Sequence, residues 1–431
     1  MHKIRTINNI SEKGLSRFPA DDYELGDAIA DPEAILVRSQ QLTDADAVPS
    51  LRAVGRAGAG VNNIPVADYT DKGIVVFNTP GANANAVKEL VMLGLLLSCR
   101  GIIPGIEYVN TLGEHSDKAE LNKLVESSKK QYKGRELKGK TLGVLGLGAI
   151  GSMVADMALQ MEMNVVGYDP VLSVEAAWRL SSKVEKMENL QMLFSRSDII
   201  SLHVPALDAT RGMINSEALS QFKDGAVLLN FAREEIVDKE AISEALDSGK
   251  ISQYISDFPT PGLIGKPGVI STPHLGASTE EAEENCAIMV ADQVRDFLEN
   301  GNIKNSVNFP ALSLERTAGC YRIAMANKNV PRILSSVLSI LADRNINVVD
   351  MLNKSREDVA YNLIDIQAEP SLELLEEVQL ATKSLDTLEE VRAFDVLKID
   401  VQGAELKVFQ GARAKLASAM VVIPEIRFYQ L

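Results

Sequence analysis

The chain has 431 residues, more than one compact core holds, so two or three domains are expected. Apolar residues make up 46%, enough for real cores, and the formal net charge is −15. That charge argues against nucleic acid and anionic membranes as partners, so any anion must be held by local arginines and backbone N–H groups.

In chain order, Met1 to Thr6 hold no apolar run of the signal-peptide type. Ala34–Val37, Ala53–Val54 and Ile74–Phe77 read as short apolar strands, each followed by a polar or glycine turn and a helical pattern. This alternation predicts parallel βαβ units, forming the first segment of a discontinuous domain over 1–88. Asn85–Cys99 reads as a buried helix, its apolar run far short of the ~20 residues of a membrane span. A polar stretch at 114–138 reads as exposed helix and loop. A second βαβ series, in a domain over 89–274, has strands at Thr141–Leu145, Asn164–Tyr168, Ile199–His203, Ala226–Asn230 and Gly268–Ser271. Thr279–Glu299 is a long acidic amphipathic helix, expected to return to the first domain and complete it over 275–312.

A new pattern starts at Tyr321. Strand Tyr321–Ala326 precedes a helix opened by Pro331, then strands Ile346–Leu352 and Ala360–Ile366, helix Leu372–Leu385 and strand Val391–Leu397. That βαββαβ order predicts a ferredoxin-like domain over 320–397, with 398–431 left as a tail. The expected fold class is therefore α/β: two doubly wound parallel-sheet domains, one discontinuous around the other, plus a small ferredoxin-like domain. Cys99, Cys286 and Cys320 are far apart, so neither a metal site nor a disulfide framework is predicted, and a reducing cytoplasm fits.

Gly146-Leu147-Gly148-Ala149-Ile150-Gly151 directly follows a predicted strand and opens a predicted helix. GxGxxG alone is weak, but in this setting each glycine has a task. Gly146 permits the tight turn, Gly148 lets backbone approach a pyrophosphate, and Gly151 lets helix and strand pack closely. The next strand ends at Asp169, close to the ~20-residue spacing of the acid that accepts both ribose hydroxyls. No arginine adjoins it, so NAD is expected rather than NADP.

Oxidation of an alcohol needs a base for the hydroxyl proton and a cation for the substrate carboxylate. Among His2, His115, His203 and His274, the last follows a short strand in Ser271-Thr272-Pro273-His274-Leu275-Gly276 and is the expected base. Arg233 follows another strand in Asn230-Phe231-Ala232-Arg233 and is the expected clamp. His203 ends a third strand and is read as a cofactor-side residue.

Leu137–Gly148, Asn230–Arg233 and Ser271–Thr279 resemble the D-2-hydroxyacid dehydrogenases. Val37-Arg38-Ser39, Gly55–Ile64 and Phe77–Ala84 are similar to the branch of that family acting on 3-phosphoglycerate, and the likeness covers about 1–310. The resemblance implies NAD-dependent oxidation of 3-phospho-D-glycerate to 3-phosphohydroxypyruvate, the first step of serine biosynthesis. His274 then matches the acid/base and Arg233 the carboxylate clamp. Arg38, Ser39, Arg56, Ala57 and Gly58 match the substrate loops. Ala149, Ile150, Pro205, Thr210, Ala232, Asp257 and Gly276 fall on the cofactor side. A homodimer or homotetramer is implied. There are two departures. Pro261 stands where the family carries a Glu that orients the His, and Glu234 stands where a Gly follows the Arg. Asp257, the acid left near His274, or a carboxylate of the substrate is the expected partial stand-in, and Asp257 so counts as catalytic. Two other readings stay open: a D-2-hydroxyacid dehydrogenase for an unphosphorylated substrate, and an NAD-sensing regulator whose catalysis has decayed.

Residues 320–397 resemble an ACT domain, which implies either L-serine as an effector at Asn327, Asn329 and Asn347 or a purely dimerising domain. Arg332 departs from the glycine usual after the loop proline. Leu397–Leu406 and Glu425–Phe428 resemble FkbM-type methyltransferases. So short a stretch cannot build that fold and is expected to be an appendage, not a second enzyme.

Overall fold

The computed structural model of the protein describes residues 1–178 and 180–381, with short strands at 397–398, 422–423 and 429–430. It divides into two compact units, Met1–Pro80 with Glu283–Leu431, and Gly81–Ala282. The breaks differ from the 88/89 and 274/275 read from the sequence. At the first break the reason is helix Ala84–Leu97, whose Val87, Val91 and Leu95 pack with Val144, Val154 and Leu229 of the second unit.

The first unit opens with five parallel strands: β1 (His2–Ile7), β2 (Tyr23–Gly26), β3 (Ala34–Val37), β4 (Ala53–Arg56) and β5 (Val75–Phe77), in the order β2-β1-β3-β4-β5. The two strands absent from the sequence reading lie at one side, where β1 buries only Ile4 and β2 only Tyr23, so no apolar run marks them. The core on β3 and β4 is Ile35, Val37, Val54 and Tyr69, all fully buried. Each such aliphatic side chain contributes ~1.5–3 kcal/mol. Helix Glu280–Asn300 buries Val290, Ala291, Val294, Phe297 and Leu298. Val290 and Val294 lie over Gly55 where any β-carbon would sit, so this glycine sets how closely the helix approaches the sheet.

The second unit is a seven-stranded parallel sheet. Its strands are β6 (Thr141–Leu145), β7 (Asn164–Tyr168), β8 (Glu185–Lys186), β9 (Ile199–Leu202), β10 (Ala226–Asn230), β11 (Ile251–Ser256) and β12 (Val269–Ser271). The order β12-β11-β10-β9-β6-β7-β8 is doubly wound about β6. β9 and β10 are buried throughout and read as plain apolar runs, whereas the interior strand β11 is broken by Ser252, Gln253 and Ser256, which hid it from the pattern.

The small C-terminal sheet has β13 (Tyr321–Lys328), β14 (Val348–Arg356) and β15 (Val359–Ile366), covered by helices Ile333–Asp343 and Leu372–Ala381. Of the expected strand Val391–Leu397, residues 391–396 lie outside the described residues, and Leu397–Lys398 (β16) pairs with Val422–Ile423 (β17) instead. The place beside β13 is taken by Tyr429–Gln430 (β18), giving the antiparallel order β14-β15-β13-β18. Residues of the presumed tail thus complete the small sheet. Arg322 anchors this domain. It is fully buried, bonded to both oxygens of Asp365 and to the carbonyls of Asn300, Leu314 and Glu315, so all five of its N–H groups have acceptors.

Candidate active site

Strand register explains why residues so far apart in the chain come out along one edge of the second unit. Tyr168 pairs with Leu145, Leu145 with Leu202, Leu202 with Asn230, Asn230 with Ser256, and Ser256 with Ser271. These are the carboxyl ends of six neighbouring strands, ~4.8 Å apart, where a parallel sheet binds its ligands. Asp169, Gly146, His203, Phe231, Asp257 and Thr272 are the next residues in each case. Arg233 and His274 each follow two residues later than the first of their loop.

The glycine turn is built as its pattern demands. Gly146 has φ +89, and a β-carbon there would meet the His203 carbonyl at 2.5 Å. A β-carbon on Gly151 would overlap the Gly146 carbonyl oxygen. Gly148 and Ala149 are exposed, and nothing lies within 4 Å of where a Gly148 β-carbon would project. Helix Ala149–Gln160 has no side-chain cap, so its first N–H groups face that open space. Ile150 packs against the apolar cluster behind the turn. Asp169 steadies the turn, its carboxylate accepting from Leu147 N at 2.8 Å and Val171 N at 3.0 Å. These residues fit a dinucleotide with a pyrophosphate over Gly148.

Beside the turn, Nε2 of His203 lies 2.8 Å from Ser201 Oγ, and Nδ1 is buried with no partner among the described residues. The ring is sunk in the sheet edge although the residue keeps some exposure. Burial pushes its pKa down to about 4, so it is neutral at physiological pH. Thr210 closes the adjacent loop by donating to the Pro205 carbonyl at 2.5 Å and accepting from Leu207 N at 2.8 Å.

His274 is exposed and has φ +58, rare for a residue with a β-carbon. Asp257, 1% exposed, holds it there. One carboxylate oxygen accepts from Thr272 Oγ1 at 2.6 Å and Leu275 N at 2.7 Å, the other from Gly276 N at 2.7 Å, and the Asp257 carbonyl accepts from His274 N at 3.0 Å. The expected role of Asp257 as partner of the imidazole is therefore corrected. Its carboxylate is occupied by the loop, and no bond joins it to the His274 ring among the described residues. That ring packs edge-on against Phe258, centroids 5.2 Å apart. Arg233 lies folded back on the Ala232 carbonyl at 2.7 Å, while Asn230 holds the loop through the Arg233 carbonyl and Ala232 N. Glu234 accepts from Thr260 Oγ1 at 2.9 Å, and its second oxygen has no partner among the described residues.

In the first unit Val37 pairs with Arg56, which places Arg38 and Arg56 at the ends of neighbouring strands. Arg56 Nε donates to the Arg38 carbonyl at 3.0 Å, and the Arg56 guanidinium lies across Gly58, where any side chain would overlap it. Ala57 is buried, its N–H bonded to the Val37 carbonyl. Ser39 N and Gln40 N both donate to Asn8 Oδ1, at 3.0 and 2.9 Å.

The D-isomer specific 2-hydroxyacid dehydrogenase NAD-binding domain family matches residues 106–276. A D-3-phosphoglycerate dehydrogenase of Haemophilus influenzae is 33% identical over 375 residues, covering 83% of this chain and 87% of that protein. This chain belongs to the D-2-hydroxyacid dehydrogenase family. NAD is its cofactor. The family's D-3-phosphoglycerate dehydrogenase of Methanocaldococcus jannaschii is 36% identical over 338 residues, 76% of this chain but only 61% of that longer protein. The structure of NAD-bound 3-phosphoglycerate dehydrogenase from Entamoeba histolytica superposes with a TM-score of 0.54 at 27% identity, covering 72% of this chain and 99% of that one.

The chain also matches the FkbM methyltransferase domain over 339–430, a longer stretch than the tail alone suggested, reaching into the small domain. There, Asn327 is occupied by the Lys328 carbonyl and Asn362, and Asn329 by the Glu357 carbonyl, so two of the three expected effector amides are engaged internally. Arg332 has φ +75, the left-handed conformation that explains why a glycine suits the position. Sequence reasoning passed over Asn8, whose only signal is an Asn directly after a strand, and Glu234, noted as a departure but not as a contact of Thr260.

Proposed function

We propose that this dehydrogenase oxidises 3-phospho-D-glycerate to 3-phosphohydroxypyruvate with NAD, the first step of serine biosynthesis. Its relatives named above support the reading. The observation that carries the choice of a phosphorylated substrate is that Arg38 and Arg56 end neighbouring strands, two arginines close together on a chain of net charge −15. Bound NAD supplies the hydride acceptor. Arg233 clamps the substrate carboxylate through a bidentate contact after swinging off the Ala232 carbonyl. His274 takes the C2 hydroxyl proton as the C2–H bond breaks and the C2=O bond forms.

A proton-accepting imidazole gains from a carboxylate that orients it and favours its charged form. With Asp257 occupied, Glu234 is the carboxylate assigned to that role. It is bonded to Thr260, two residues from the Phe258 ring on which His274 rests. For the assembly, helices Ala84–Leu97 and Ile102–Thr111 expose Met92, Leu93, Leu96, Ile102, Ile106 and Val109. An apolar face of that kind suits a homo-oligomer contact. Among the described residues no single helix is long and apolar enough to cross a membrane.

Following NADH formation with 3-phosphoglycerate, D-glycerate, D-lactate and 2-hydroxyglutarate tests the assignment. The expected result is a kcat/KM for 3-phosphoglycerate at least ~100-fold above the rest, as one desolvated charge-assisted contact allows. Equal turnover of D-glycerate would assign the enzyme to unphosphorylated substrates, and no turnover of any would leave an NAD sensor.

A further inference from the structure

We propose that Glu283 is an internal anion that caps Arg38 and holds down the enzyme's affinity for its phosphorylated substrate. This rests on the reading of Arg38 and Arg56 as the phosphate site. Arg38 Nη2 is 2.5 Å from Glu283 Oε1, both groups lying in the first unit. The Cys286 thiol, one helical turn beyond Glu283, feels the charges of Arg38, Arg56 and Glu283 together, so all four form one cluster.

Two properties make the cap releasable. The pair is 38% and 43% exposed, so solvent screens it and a stronger anion can replace it. Glu283 also stands in the first turn of helix Glu280–Asn300, where the helix dipole favours a carboxylate whether or not Arg38 holds it. A phosphate monoester carries close to two charges and three acceptor oxygens, against the single charge of the carboxylate. Phosphorylated substrate therefore displaces Glu283, but its apparent affinity falls by the fraction of time Arg38 is capped. A ligand that does not reach Arg38 is unaffected. The cap is a specificity device: it raises KM for the substrates that need the arginine and leaves the chemistry at His274 alone.

The alternative is that Glu283 aims the guanidinium at the phosphate. The two predict opposite signs. Glu283→Gln keeps the size and polarity of the side chain and removes its charge. Capping predicts a KM for 3-phosphoglycerate roughly three- to fivefold lower, the worth of an exposed ion pair, with kcat and the KM for D-glycerate unchanged. Inorganic phosphate gives a readout that needs no turnover: its stabilisation of the protein in a thermal melt should reach half its effect at a similarly lower concentration. A KM that stays the same or rises overturns the proposal. Arg38→Gln separates it from the reading beneath it. If that variant raises KM for 3-phosphoglycerate while Glu283→Gln changes nothing, the phosphate site stands and the cap is wrong. If Arg38→Gln leaves KM untouched, both fall.

Discussion

The glycine turn after β6 and the histidine loop after β12 leave the same edge of the same sheet, yet they are made in different ways. In the turn, the backbone does the work. Gly146 and Gly151 are required because a β-carbon would strike a carbonyl, while the space over Gly148 is open. In the histidine loop, side chains do the work. A buried carboxylate, Asp257, gathers a hydroxyl and two N–H groups to fix His274 in a left-handed conformation. A backbone requirement admits one residue type at one position. A side-chain requirement is met by any group that can reach, from whichever loop it starts.

The largest expected effect tests the turn. Gly151→Ala forces the helix away from the strand, a distortion of ~1–3 kcal/mol, and displaces the N–H groups that would hold a pyrophosphate. NADH affinity, read by fluorescence titration, should fall by ~100-fold or more with a lower melting temperature. Gly148→Ala is the sharper companion. Its methyl has open space to occupy, so the melting temperature should not move while NADH binding weakens. Unchanged binding would mean that the space over Gly148 is not the pyrophosphate seat.

A smaller effect tests the floor beneath the turn. The folded pKa of His203, about 4, lies below the ordinary 6.5. The unfolded chain therefore takes up a proton first as pH falls. Stability is full above about pH 6.5 and is lost progressively toward pH 4, by ~2 kcal/mol between pH 7 and pH 5. Urea melts at those two pH values, with His203→Gln as control, check it. The variant should lose that share of the pH dependence, and an equal dependence in both proteins would show that His203 is not the group.

The same contrast governs how much was legible in the sequence. β6, β7, β9 and β10 were found because a doubly wound sheet buries them on both faces and leaves apolar runs. β1, β2 and β11 were missed because polar residues interrupt those runs. His274, Arg233 and Asp169 could be picked out because each follows a strand end, which a pattern can locate. What a pattern cannot locate is a contact between loops. The Asp257 carboxylate looks available in sequence and is occupied in space, and Glu234 looks like a blemish and touches Thr260. The fourth strand of the small sheet was misplaced for a related reason: an edge partner is chosen by reach, and Tyr429–Gln430 reaches β13.

The smallest expected effect is the most discriminating, because it asks whether a side-chain role has moved between loops. If Glu234 serves the imidazole, Glu234→Gln removes a negative neighbour and makes the charged ring less favourable. The acid limb of the pH–rate profile should then move to lower pH by ~0.5–1 unit, and kcat should drop severalfold with KM nearly unchanged, because the ground-state contacts of the substrate are untouched. Glu234→Asp should restore part of the rate if the carboxylate itself matters. Asp257→Asn should do the reverse. An amide cannot accept from Thr272, Leu275 and Gly276 together, and losing charge-assisted bonds worth ~1.5–3 kcal/mol each lowers the melting temperature. The activity that survives should keep its acid limb in place. A limb that follows Asp257 and ignores Glu234 would return the orienting role to the buried acid. It would also mean that the loop's hydrogen bonds rearrange during turnover.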